Sequence, residues 1–187
     1  WRVLLANNRV ECTGLPADIV KRRMMTRTGN TLAAFALVLA DEVRDAIDSN
    51  SGLGGETGAA LITIGANRGI TVGELAKALK LSHSGTVRAV DRLQERGLLR
   101  RSSGADGRTV SLHLTETGGA ARLQALARRQ AVVERLLAVL SDSERTALGE
   151  MLDKLIMAAM RPGEDFYFCR MCDEGQCVPK GCPVELR

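Results

Sequence analysis

The sequence predicts a mainly α-helical protein with one small β-hairpin, organised as a winged helix-turn-helix between long dimerisation helices. Two short helical patterns joined by a tight turn occupy residues 71–97. Two alternating apolar runs around a Gly-rich, charged tip follow at residues 98–114. This succession of helix, turn, helix and hairpin is typical of a winged helix.

Five regions are predicted along the chain. They are an N-terminal arm (1–28), an N-terminal dimerisation helix (29–55), a winged-helix DNA-binding domain (56–115), C-terminal dimerisation helices (116–162) and a cysteine-rich metal-binding tail (163–187). The arm lacks periodicity and does not begin with Met. A natural start at Met24 or Met25 is therefore an alternative, which the intact mass of the native protein would settle.

Two helices are predicted ahead of the helix-turn-helix. Residues 30–50 form an amphipathic pattern whose apolar face carries Leu32, Phe35, Ala36, Leu39, Val43 and Ile47. Residues 56–67 form a shorter, largely apolar pattern. We expect the second helix to be buried beneath the DNA-binding unit, with core residues rather than sites.

The helix-turn-helix has clear end signals. Thr71 and Glu74 have the spacing of a capping box, and Ser82 is a good N-cap for the second helix, which Gly97 ends. A helix in the major groove needs short hydrogen-bonding residues near its N-terminus and cations further along. The predicted contacts with bases or phosphates are Ser82, His83, Ser84, Thr86, Arg88 and Arg92.

The hairpin is the predicted wing. Its strands cover residues 98–101 and 109–114, and the tip lies between them. Asp106 and Arg108 are two residues apart, so the carboxylate can orient the guanidinium as it enters the minor groove. Arg100 and Arg101 are predicted to contact phosphates.

The segments SHSGTVRAVDRLQERGLL and DGRTVSLHLTETG resemble the winged helix of MarR-type (multiple antibiotic resistance) bacterial regulators. The resemblance covers residues 28–160 and leaves out the cysteine-rich tail. It implies a dimeric repressor or activator on a pseudo-palindromic operator in duplex DNA, often released by a small-molecule effector or by thiol oxidation.

Charge is concentrated in the predicted DNA-binding region. Residues 80–113 hold seven Lys and Arg against three Asp and Glu, an excess of four that equals the net charge of +4 of the whole chain. This pattern favours duplex DNA as the partner. Aromatic residues make up only 3% of the chain, which argues against stacking on single strands.

The sequence shows no apolar run long enough to span a membrane and no signal peptide, so we expect a cytoplasmic protein without a membrane partner.

Long apolar-faced helices are predicted over residues 116–140 and 141–160. Ser141 and Glu144 form a second capping-box pattern at the start of the latter. These helices and the N-terminal one lie at both ends of the DNA-binding unit, and their apolar faces have too little of their own domain to cover them. Pairing with a second subunit would bury them and place two recognition helices about one DNA turn apart, so a homodimer is expected.

The tail carries four cysteines, Cys169, Cys172, Cys177 and Cys182, in the spacing C-x2-C-x4-C-x4-C. Four thiolates this close can form a tetrahedral structural zinc site, and the spacing is that of a zinc knuckle with Cys177 in place of His. An iron-sulfur cluster, a redox switch based on reversible disulfides and an unliganded tail remain alternatives.

The leading hypothesis is a homodimeric, sequence-specific DNA-binding transcription regulator. We expect it to respond to a small ligand or to redox or metal state. A zinc- or redox-dependent protein-interaction module without DNA binding is an alternative. A thiol oxidoreductase is another, but the βαβ context of a redox Cys-x-x-Cys is missing. The sequence has no acid/base constellation or phosphate loop, so we do not expect an enzyme.

Overall fold

The computed structural model describes residues 5–6, 9–10, 26–49, 52–103, 109–160, 170–177, 181–182 and 184. The chain forms two compact units, residues 1–40 and 41–187. The boundary lies within helix α1, Arg27–Asp48. In the first unit, strand β1, Leu5–Ala6, pairs antiparallel with strand β2, Arg9–Val10. Two-residue strands are too short to show an alternating pattern, so they were not predictable from the sequence.

Helix α1 begins three residues earlier than predicted. Thr26 is the reason, because its hydroxyl accepts a hydrogen bond from the Gly29 backbone N–H at 3.1 Å. This contact satisfies one of the free N–H groups of the first turn.

The second unit is the predicted winged helix with its flanking helices. Its elements are α2 (Glu56–Ala66), α3 (Val72–Leu79), α4 (His83–Glu95), β3 (Leu99–Ser103), β4 (Val110–Leu114), α5 (Glu116–Leu137), α6 (Asp142–Ala159) and α7 (Glu174–Cys177). The mainly helical fold class with one wing hairpin is thereby confirmed.

Helix α2 is the centre of this unit, as its apolar sequence predicted. It packs against α3, α4, α5 and β4. Ala60, Leu61 and Ile62 are completely buried, and Ile64 is nearly so. Leu61 and Ile64 join Val90 and other residues in the core beneath α4, whereas Ile62 belongs to a second cluster with Ile47, Ala125 and Leu126. One helix thus connects two apolar clusters.

The wing hairpin is extended by a short segment ahead of α3. Strand β3 pairs antiparallel with β4 from Leu99 opposite Leu114 to Ser103 opposite Val110. In addition, Gly69 donates to the Leu112 carbonyl at 3.1 Å, and Leu112 donates to the Ile70 carbonyl at 3.0 Å. These bonds fix the start of the helix-turn-helix to the base of the wing. The sequence did not predict these bonds, because a segment of three residues, 69–71, is too short to show a periodic pattern.

Both predicted capping boxes are confirmed. In the first, Glu74 donates its backbone N–H to the Thr71 hydroxyl at 3.2 Å, and Thr71 donates its backbone N–H to the Glu74 carboxylate at 2.8 Å. Ser141 and Glu144 form the same pair at the start of α6. These bonds fix where α3 and α6 begin.

The first capping box should make stability depend on pH. The pKa of the Glu74 carboxyl lies below its ordinary value because the backbone N–H and the hydroxyl of Thr71 donate to it. A lowered folded-state pKa stabilises the fold above the unfolded pKa, and this contribution is lost as the pH falls through the folded value. Because solvent screens this exposed carboxylate, Glu74→Ala should lower the free energy of unfolding by only about 0.5 kcal/mol at neutral pH, and by progressively less in acid.

Urea unfolding of the wild type and Glu74→Ala at pH 7 and pH 3 measures this difference. Glu150→Ala, a substitution on the exposed side of α6, is the matched control. An equal difference at both pH values would contradict the ionic role of Glu74.

Helices α5 and α6 leave much apolar surface uncovered. Leu123 on α5 is 66% exposed, and Met151 on α6 is 58% exposed. No residue of α6 is buried in the described chain. Helix α5 ends at Leu137, three residues before the predicted end, because Leu140 turns back to donate to the Leu137 carbonyl at 3.0 Å. Among the described residues, no helix is both long and apolar enough to cross a membrane.

Candidate nucleic-acid interface

Helix α4 has one buried face and one exposed face. Ala89, Val90 and Leu93 point into the core. Ser84 and Arg88, one helical turn apart, lie on the opposite side and are exposed. The apolar residues recur at helical spacing and so lie on one side of α4. The polar and cationic residues between them therefore form the exposed side.

The N-terminus of α4 is fixed by Ser82. Its hydroxyl accepts a hydrogen bond from the Gly85 backbone N–H at 3.1 Å and lies 3.3 Å from the Ser84 hydroxyl. Ser82 is thus the N-cap, as predicted. The structure places seven of the predicted contact residues at exposed positions around α4 and the first half of β3: Ser82, His83, Ser84, Arg88, Arg92, Arg100 and Arg101.

Thr86 requires a correction. We predicted that it faces DNA, but its side chain is completely buried. Its hydroxyl donates to the Ser82 carbonyl at 3.0 Å, which satisfies the one proton it carries. The prediction was wrong because it considered only that Thr is small and polar. Thr86 lies four residues, about one helical turn, before Val90 and is therefore on the apolar face of α4.

An ion pair joins α4 to the wing. A guanidinium nitrogen of Arg101 on β3 lies 2.6 Å from the carboxylate of Asp91 on α4. Both side chains are partly exposed, so the pair adds little stability but holds the Arg101 side chain beside α4. Sequence reasoning missed this role of Asp91, although an anion within a cationic stretch was the available signal. Among the described residues, this contact uses one of the five guanidinium N–H groups, so others can serve the predicted phosphate contact.

The tip of the wing, which contains Asp106 and Arg108, lies outside the described residues. The strands that carry it are described up to Ser103 and from Thr109 onward. The predicted roles of Asp106 and Arg108 therefore stay predictions.

The base of the wing is attached to the end of α4 through the start of α5. The hydroxyls of Thr115 and Thr117 both donate to the Gly97 carbonyl, at 2.7 and 3.1 Å. Thr115 also caps α5 by accepting from the Gly118 N–H at 3.0 Å. An added Cβ at Gly118 would lie 1.9 Å from the Leu98 carbonyl oxygen. This close approach explains why the segment DGRTVSLHLTETG ends on a glycine, a reason that was not apparent from the sequence.

The predicted metal ligands are only partly described. Cys172 is half-buried and Cys182 is buried. Cys169 and the side chain of Cys177 lie outside the described residues. Within the part of the tail that is described, no three His, Cys, Asp or Glu side chains come together as a metal site. The zinc site stays a prediction.

Comparisons with known proteins agree with this geometry. Residues 51–109 match the family model described as MarR family. A protein of Thauera aromatica, named for transcriptional regulation of the hcr operon, is 38% identical over 100 residues, which are 51% of this chain and 58% of that protein. The chain therefore spans less than two thirds of the length of this relative.

Solved structures share the fold. A MarR family protein from Bacillus stearothermophilus superposes with a TM-score of 0.66 at 24% identity, covering 79% of this chain and 100% of the other. The MarR family protein Rv2887 of Mycobacterium tuberculosis, solved in complex with DNA, superposes with a TM-score of 0.59 at 25% identity, covering 70% of this chain and 98% of the other. Residues 51–109 thus match the MarR family model, and the unit that contains them has the winged helix-turn-helix fold of solved MarR family proteins.

Proposed function

We propose that this protein binds duplex DNA sequence-specifically and regulates transcription, with α4 in the major groove. The observation that carries the proposal is the exposed face of α4, where Ser84 and Arg88 lie opposite the buried apolar face. Short hydroxyl side chains near the N-terminus can reach base edges, and Arg can bind guanine or phosphate. The DNA complex of Rv2887 shows that a protein with this fold binds DNA.

Among the described residues, the proposed DNA contacts are those predicted residues whose side chains are exposed to solvent. On α4 it contains Ser82, His83, Ser84, Arg88 and Arg92, and it excludes Thr86. Arg100 and Arg101 on β3 supply phosphate contacts, and Arg108 enters the minor groove with Asp106 orienting its side chain.

We also propose a homodimer formed by α5 and α6. The exposed apolar residues on these helices include Leu123, Met151, Leu152, Leu155 and Met157. An uncovered apolar surface of this kind on two adjacent helices is typical of an interface. A twofold axis would present two copies of α4 to a pseudo-palindromic operator, and a small-molecule effector could act by changing their spacing.

DNA binding is tested by selecting duplexes from a random-sequence pool with the full chain and measuring affinity against salt. We expect an enriched pseudo-palindrome and a log–log salt slope that reflects several phosphate contacts. Sedimentation of the same sample measures the oligomeric state, for which a dimer is expected. Absence of salt-sensitive DNA retention would overturn the proposal and favour a protein-interaction module.

We further propose that Cys169, Cys172, Cys177 and Cys182 bind one structural zinc ion. The support is their spacing and the preference of zinc for four thiolates. Elemental mass spectrometry of protein purified without added metal should find about one zinc per chain, with no visible absorption band. A brown chromophore would instead identify an iron-sulfur cluster, and disulfides without metal would favour the redox switch.

A further inference from the structure

The C-terminal tail is attached to the body of the winged-helix unit. The tail segment, residues 170–177, contacts both α2 and α5. Thr63 on α2 donates its hydroxyl to the Arg170 carbonyl at 2.8 Å. On α5, Arg129 donates to the Met171 carbonyl, and Arg122 pairs with the Glu174 carboxylate. Three polar contacts thus hold five consecutive residues of the tail.

Apolar packing supports these contacts. Met171 packs against the second apolar cluster, which contains Ile47 and Ile62 together with Ala125 and Leu126. Helix α2 supplies Ile62 to this cluster and Leu61 to the core beneath α4. Helix α2 therefore contributes both to the cluster on which the tail segment packs and to the core beneath α4, in addition to its packing against α3, α5 and β4.

The contacts are more sheltered than ordinary surface ion pairs. Thr63 is only 1% exposed, and the Arg122 side chain is 13% exposed. Arg122 also crosses α2, where its Nε donates to the Ile62 carbonyl at 3.2 Å. Gly65 leaves the space for this crossing, because an added Cβ there would lie 2.1 Å from Cδ of Arg122. The Glu174 side chain is 44% exposed, so salt partly screens its attraction to the more buried Arg122.

The same groups can release the tail segment without losing all their partners. The Thr63 hydroxyl lies 2.8 Å from the Ala59 carbonyl as well as from that of Arg170, and it has only one proton to donate. The Nε of Arg122 keeps the Ile62 carbonyl. The Nε of Arg129 is buried and has no hydrogen-bond partner among the described residues, so undocking would give it water. Undocking would thus leave the Thr63 hydroxyl and the Arg122 Nε with hydrogen-bond partners.

We infer that the docked tail segment is a regulatory element whose attachment to α2 and α5 increases the affinity of the winged helix for DNA. The inference rests on the proposed DNA binding. The attached tail segment restricts how α2 moves against α4, whereas a detached tail leaves α2 folded but less restricted, so DNA binding must remove more conformational freedom and is weaker. Cys172 lies between the Met171 and Glu174 contacts, so metal binding or oxidation in the cysteine cluster would act directly on this attachment.

Glu174→Ala in the full chain removes the ion pair with Arg122, and Thr63→Val removes a different contact of the same segment. Glu150→Ala on α6 is the control for the change in net charge, because it removes one negative charge from an exposed residue, and sedimentation checks that this variant keeps the proposed dimer. The probe is the duplex selected by the wild type, and hydrogen exchange reports on the α2 amides. We expect both variants to raise Kd three- to tenfold, to speed exchange in α2 and to leave the salt slope unchanged, since no phosphate contact is lost.

The outcomes separate the two proposals. If the wild type shows no salt-sensitive DNA binding, the proposed function fails. If the wild type binds and both variants bind equally well, the regulatory inference is overturned, even where exchange in α2 becomes faster. If Glu150→Ala weakens binding as much as Glu174→Ala, the effect is one of charge alone, and the inference is equally overturned.

Discussion

Gly118→Ala is expected to destabilise the fold by about 3 kcal/mol, because overpacking against a fixed neighbour cannot be relieved by a side-chain rotation. An added Cβ would lie 1.9 Å from the Leu98 carbonyl oxygen and 2.9 Å from its carbon. Leu98 cannot withdraw easily, since the same carbonyl accepts the Thr115 N–H at 3.1 Å. Relief would require the start of α5 to move away from the base of the wing.

The neighbouring glycine provides a matched control. Gly119 lies in the same helical turn, but an added Cβ there meets nothing within 4 Å. Gly119→Ala should therefore stabilise the protein by about 0.5 to 1 kcal/mol through helix propensity. Urea unfolding of both variants measures the difference. Equal stabilities would show that α5 and Leu98 do not approach each other as described.

Arg88→Ala is expected to weaken DNA binding by about 1 to 3 kcal/mol, a rise in Kd of roughly fivefold to 150-fold. Arg88 is exposed on the side of α4 opposite the buried Ala89 and Val90, so the substitution should leave the fold unchanged. Loss of a phosphate contact would lower the salt slope by about 0.9, whereas loss of a base contact would relax sequence preference at one position.

Lys154→Ala is the control for Arg88→Ala, since it removes one exposed positive charge from α6 rather than from α4, and sedimentation checks that this variant keeps the proposed dimer. Fluorescence anisotropy with the selected duplex, repeated over a range of salt concentrations, measures both variants. The assignment of α4 as the DNA-reading helix would be rejected if Arg88→Ala bound like the wild type, or if Lys154→Ala were equally impaired.

The local elements of this protein follow from the sequence by itself. Helix and strand periodicity predicted α2, α3, α4, the wing strands and α6 to within a few residues. The capping boxes at Thr71 and Ser141 were predictable because they depend on two residues three positions apart. The fold class followed from the order of these elements.

Only the tertiary structure decided how distant groups meet. Thr86 looked like a DNA contact, but its place on the buried face of α4 assigned its hydroxyl to Ser82. The Asp91–Arg101 pair, the approach of Gly118 to Leu98 and the tail contacts with Thr63 and Arg122 join residues from different elements. Periodicity and capping report on neighbours within one element, whereas these contacts depend on how the elements pack, which no local pattern encodes.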